Sequence, residues 1–185
     1  RLVPVPDGQL GTIRYLEYPV LTGYFMWGVS ALTSGYLSFA QSTGVVPVPL
    51  DVAAYFTIGA ILLGFAYLVV VACTARIARR CVWDTAIMCL SPLLIVHAFT
   101  NWDLLAIGFT GGAMLAWARK KSVLAGILLG LGTAAKLYPV FLLGPLLVLC
   151  LRSGRMGAWT KAVVAGAITW VAVNLPILLT YPRAW

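Results

Sequence analysis

The chain has 185 residues, 62% of them hydrophobic and only 10% charged, with a mean hydropathy of +0.96. A soluble domain carries roughly 25% charged residues, so this composition excludes one and points to an integral membrane protein. The net charge of +8 does not mark a nucleic-acid surface: nine of the 13 basic residues form three clusters between apolar runs (Arg76, Arg79, Arg80; Arg119, Lys120, Lys121; Arg152, Arg155, Lys161), as cytoplasmic loops do under the positive-inside rule.

In chain order, the sequence opens in loop-like text, RLVPVPDG, and closes the same way, TYPRAW. No charged segment followed by a short apolar core marks a signal peptide, and the whole reads as an internal piece of a longer polytopic protein. Residues 1–50 read as an extracytoplasmic loop and residues 51–185 as a transmembrane helix bundle. Within the loop, residues 19–40 (PVLTGYFMWGVSALTSGYLSFA) are apolar enough to resemble a span. Thr22, Ser30, Thr33, Ser34, Ser38 and three glycines weaken it, so it reads as an interfacial or re-entrant helix on the outer side.

The first full span is residues 51–75. Residues 81–118 then form a hairpin of two helices, about 83–99 and 104–118, with the polar stretch HAFTNWD at its apex. A second hairpin, residues 122–151, has AAKLYP at its apex, and a last span covers about 159–180. The fold class is therefore an all-α polytopic membrane protein with about six spanning helices plus one outer interfacial or re-entrant helix. With the basic clusters inside, NWD and KLYP lie outside, as do four of the five acids: Asp7, Glu17, Asp51 and Asp103. The fifth, Asp84, is spaced to pair with Arg80 one helical turn away. Cys73, Cys81, Cys89 and Cys150 contain no CxxC spacing and support neither a disulfide frame nor a zinc site.

The arms of the second hairpin are shorter than the full hydrocarbon core. An arm of about 14 residues rises only ~21 Å at ~1.5 Å per residue, against a hydrocarbon core of ~30 Å. Lys136, the only charge between Lys121 and Arg152, therefore sits within the outer leaflet. Pro139 stops the helix ahead of it. Gly126, Gly130 and Ala134, and likewise Gly108 and Gly112, recur every four residues, the spacing that lets helix backbones approach in lipid.

Each polar residue at these apices has a bland role beside a chemical one. Lys136 can be a side chain that snorkels from a helix end; a short helix ending in Lys-Leu-Tyr-Pro favours an anion instead, with Tyr138 donating to the same phosphate. Asp103 or Asn101 suits the N-cap of the following helix, and Trp102 suits a membrane interface. The same carboxylate and amide can hold sugar hydroxyls or a divalent cation. His97, the sole histidine, is either packed and hydrogen-bonded or a proton shuttle. Glu17 either pairs with Arg14 or serves as a base or acceptor-binding carboxylate, with Tyr18 beside it.

Together, EYPVLTG at 17–23, NWDLLA at 101–106 and AAKLYPVFLLGPLL at 134–147 resemble the actinobacterial polyprenyl-phosphate-mannose-dependent mannosyltransferases, glycosyltransferase family 87, with the GT-C membrane fold. The resemblance implies transfer of mannose, with inversion, from a polyprenyl-phosphate donor to a glycan or glycolipid hydroxyl at the outer face of the cell membrane. It also implies a catalytic Asp in the first outer loop. Residues 1–16 hold only Asp7, in a proline-rich stretch, so that base is expected upstream; Glu17 and His97 are the weaker candidates. Lys136 and Tyr138 would hold the donor phosphate, and Asn101, Trp102, Asp103, Glu17 and Tyr18 would line the sugar and acceptor. No metal ligand set and no nucleic-acid partner is expected. A membrane transporter or lipid flippase is the competing class, since short broken helix pairs with an intramembrane charge also suit transport. No inverted repeat supports it. A non-catalytic scaffold is the third class.

Overall fold

The computed structural model describes residues 2–4, 10–12, 18–98 and 101–180, with the backbone alone at 2–4, 10–12, Leu93, Ile95 and His97. Glu17, Asp7 and Arg14 lie outside the described residues, as does the His97 side chain. Apart from a small hairpin, in which β1 (Leu2–Pro4) pairs antiparallel with β2 (Leu10–Thr12), every described element is helical.

Helix α1, Val20–Thr43, follows Pro19 and ends at Gly44, whose left-handed φ of 64° returns its N–H to the Ala40 carbonyl. Helix α2, Asp51–Ala78, has Asp51 in its first turn and Arg76 in its last, both favourable to the helix dipole. The single helix expected at about 83–99 is two: α3, Val82–Cys89, and α4, Pro92–His97. The cause is Pro92, which forces Ser91 to an extended ψ of 124° and interrupts the helix there. The Arg80–Asp84 helical pair also fails, because α2 has ended before Arg80 and α3 begins after it.

Helix α5 (Asp103–Ala118) and helix α6 (Ser122–Ala135) form one hairpin. A 3-10 turn, Tyr138–Leu142, leads into α7 (Leu143–Arg152), and α8 is Met156–Thr180. Among the described helices, α2 and α8 are long and apolar enough to cross a membrane; α5, α6 and the 138–152 stretch are apolar but shorter. Of the six expected spans, two thus have full spanning length.

The contacts fix the directions. Leu104 packs with Leu63, Gly108 lies against Ala66 and Gly111 against Cys73, so α2 and α5 run parallel. Gly126 faces Ala162 and Gly130 faces Gly166, so α6 and α8 are also parallel. A Cβ on Gly126 would fall on the Ala162 carbonyl oxygen, and one on Gly130 would lie 2.5 Å from that of Gly166. Glycine at these two positions is what lets the backbones touch. Gly108 meets only ordinary contacts, 3.6 Å to the Ala66 carbonyl oxygen, and Gly112 is tight against Leu128 at 3.3 Å.

These directions gather the end of α2, the α5–α6 turn and the α7–α8 turn at one end of the bundle, bringing the three basic clusters together. The NWD and KLYP apices lie at the opposite end. Helix α1 joins the bundle there, through Phe25 against Trp102 and Val29 near Gly59.

Candidate functional site

Helix α6 stops at Ala135 because Lys136 turns extended, with φ −154° and ψ 147°, while its N–H still reaches the Gly132 carbonyl at 2.8 Å. Pro139 then folds back onto Gly132; a Cβ on that glycine would stand 3.3 Å from the proline ring. The reversal turns the Lys136 side chain toward the start of α5.

There its ammonium forms an ion pair with Asp103 Oδ1, the one ion pair among the described residues. Oδ1 is itself buried, with that ammonium as its partner, while the side chains as a whole remain 26% exposed for Lys136 and 38% for Asp103. The pair is shielded yet reachable. Asn101 holds the other carboxylate oxygen, its Nδ2 donating to Asp103 Oδ2 at 2.9 Å, and its Oδ1 accepts the Trp102 N–H at 2.9 Å. This replaces the expected cap: the N-cap residue of α5 is Trp102, with no side-chain cap bond, because Asn101 and Asp103 bond one another and the lysine instead.

Trp102 is held by packing. Its ring meets Phe25 edge-on, with centroids 5.6 Å apart, and lies over Gly59 of α2. Tyr138 is 40% exposed and close enough to Asp103 to feel its charge. Tyr18 stands exposed at the entrance to α1, hydrogen-bonded to no described residue. The structure thus brings Lys136, Asp103, Asn101, Trp102 and Tyr138 together. Glu17 and the His97 side chain lie outside the described residues.

Two residues escaped the sequence reading. Thr22 is buried and donates its hydroxyl to the Ala135 carbonyl at 2.8 Å, tying the first turn of α1 to the last turn of α6, one residue before Lys136. Its signal was a hydroxyl three residues after Pro19, read only as a weakness in a span. Asn174 is buried on α8 and donates to the Trp170 carbonyl at 2.7 Å. A lone amide in an otherwise apolar span is costly enough to have been noticed.

The pair lies well below the tops of the surrounding helices. Leu104 packs at the level of Leu63, with residues 51–62 of α2 rising beyond it, about 18 Å at ~1.5 Å per residue. The register of α6 on α8 sets Ala135 opposite Val171, and α8 continues to Thr180, about 13 Å further. Two hollows adjoin the start of α5. One, about 380 Å³, is lined by Tyr55 and Phe56 of α2 with Asn101 and Trp102. The other, about 730 Å³, is almost wholly apolar; it runs from Asp103 past Leu104 and Ile107 to Val70 and Met88, beside the α3–α4 break. Among the described residues, no three of His, Cys, Asp or Glu come together as metal ligands would.

Two apolar helices of spanning length and a recessed lysine–carboxylate pair fit a membrane protein. Residues 35–185 match the family described as Glycosyltransferase family 87, and the chain belongs to that family of membrane glycosyltransferases. The match includes NWDLLA and AAKLYPVFLLGPLL and leaves EYPVLTG outside it. No curated protein and no solved structure matches the chain.

Proposed function

We propose that this enzyme moves a mannosyl, or more broadly a hexosyl, unit from a polyprenyl-phosphate donor to a hydroxyl of a glycan or glycolipid at the outer face of the cell membrane. The observation that carries the reading is the half-buried Lys136 ammonium, paired partway down the bundle with Asp103, which borders an apolar hollow, while the adjacent Asn101 and Trp102 line an aromatic, amide-bearing one. A lipid phosphate needs that combination: a cation at membrane depth, a hydrocarbon groove, and hydrogen-bonding groups for the sugar.

In this reading Lys136 and Tyr138 hold the donor phosphate, and the lysine offsets charge that builds on the leaving oxygen. Asn101, Trp102 and Asp103 face the sugar from the start of α5, with Tyr18 and Glu17 toward the acceptor. The proton of the attacking hydroxyl goes to a carboxylate base, expected in the outer loop ahead of α1.

The test is Lys136→Ala in the intact protein. Transfer of labelled mannose from a polyprenyl phosphate should fall by about two to three orders of magnitude, the usual loss when one charge-stabilising group is removed. The amount of folded protein should be nearly unchanged. Normal transfer would remove Lys136 from the mechanism, and solute counterflow in proteoliposomes without sugar transfer would favour a transporter.

A further inference from the structure

The Lys136 ammonium already has an anion of its own, the Asp103 carboxylate, and Asn101 pins that carboxylate from the far side. We infer that Asp103 is a positioning residue that offsets the extra attraction Lys136 would otherwise have for the spent lipid carrier, and so speeds product release. The inference rests on the donor proposed above.

The chemistry supplies the asymmetry. A sugar joined to a lipid through phosphate is a phosphodiester with a single negative charge. In transfer, the acceptor oxygen bonds to the anomeric carbon, and the bond from that carbon to the phosphate oxygen breaks with its electron pair on the oxygen. The hydroxyl proton passes to a carboxylate base. The lipid is left with a phosphomonoester, which carries about −1.5 to −2 charges near neutral pH. The same cation therefore faces one negative charge before transfer and nearly two after it.

A lysine alone at this depth would hold the product more firmly than the donor, which slows turnover. A fixed carboxylate on the same ammonium repels both lipids, but repels the monoester almost twice as strongly. Even at an effective dielectric near ~20, a unit charge a few ångströms away shifts an equilibrium roughly tenfold or more. Asp103 cannot swing far, because it opens α5 and Asn101 holds its Oδ2. When the product leaves, the ammonium pairs with Asp103 again and is not left facing hydrocarbon alone, the costly state for a buried charge.

The experiment compares wild type, Asp103→Asn and Asp103→Glu in the intact membrane enzyme. It measures the donor KM and the inhibition constant of the lipid monophosphate. In Asp103→Asn the inhibition constant should fall about tenfold or more relative to the KM, with lower kcat and a pre-steady-state burst as release becomes limiting. Asp103→Glu, which keeps the charge, should stay near the wild-type ratio. An unmoved ratio in Asp103→Asn overturns the proposal.

Should that variant fail to accumulate, wild type decides: the lipid monophosphate should inhibit no better than its methyl diester, and a monophosphate about tenfold more potent overturns the proposal. Failure of the donor reading looks different, since wild type would then transfer no sugar from a polyprenyl phosphate at all.

Discussion

Thr22 shows how much of the site depends on a single hydrogen bond outside it. The carbonyl it caps, that of Ala135, is among the last of α6, where no further turn follows to supply an N–H donor. Replacing Thr22 with Val keeps the shape and deletes the donor, leaving that carbonyl buried and unpaired. The expected cost is about 1–3 kcal/mol, read as a lowered Tm in detergent. Transfer activity should fall with it, because the same turn carries Lys136. At this scale the sequence was partly legible. Lys136 and Asp103 each stood out, since a charge among apolar residues is expensive and so has a reason to exist. That the two pair was not legible, because nothing local to NWD or KLYP reports which neighbour lies across the gap. Asn101 and Asp103 read as caps for the same reason: capping is the best use of such residues when no other partner is in view.

For the helices, the glycines separate cleanly by what surrounds them. Gly130→Ala should drive α6 from α8, since its new methyl would meet the Gly166 carbonyl oxygen and Thr169. Overpacking of this kind costs typically about 1–3 kcal/mol, and here the obstacle is backbone that cannot rotate away. Gly28→Ala, with nothing near its Cβ, should instead leave stability unchanged or raise it by about 0.4–1 kcal/mol. Thermal unfolding of the two variants side by side checks the contrast. The four-residue spacing announced close packing but not its partner, because helices that are apolar all round carry no stripe to mark the buried face. The α3–α4 break has the opposite history. Pro92 was plain in the sequence, yet the hydropathy of residues 83–99 concealed that a helix would end before it.

Across the whole molecule, the separation of the basic end from the end that holds Lys136 and Asp103 makes a prediction about sidedness. Cys81 is exposed in the turn between α2 and α3, beside Arg79 and Arg80, whereas Cys73, Cys89 and Cys150 are buried. A thiol reagent that cannot cross membranes should leave Cys81 unlabelled in intact cells and label it once the membrane is opened. A Leu137→Cys variant, beside Lys136, should show the reverse accessibility, labelling without permeabilisation. Equal labelling of both from outside would overturn the assignment of faces. Arms of about 14 residues against a ~30 Å core gave the expectation that Lys136 is recessed. The height of the surrounding helices did not follow, because the register of α6 on α8 and of α5 on α2 is set by side-chain and backbone fit between elements distant in sequence.

The contact between α6 and α8 has a mechanical corollary. With carbonyls seated against glycines, that seam behaves as a weld: neither rod can slide or roll on the other without collision. Opposite it, two stubby rods joined at a proline carry Ile87, Leu90 and Val96 outward and share little buried surface with their neighbours. Compliance is thus concentrated on one flank. The hydrocarbon of the lipid donor proposed above would enter sideways, on the flank that yields.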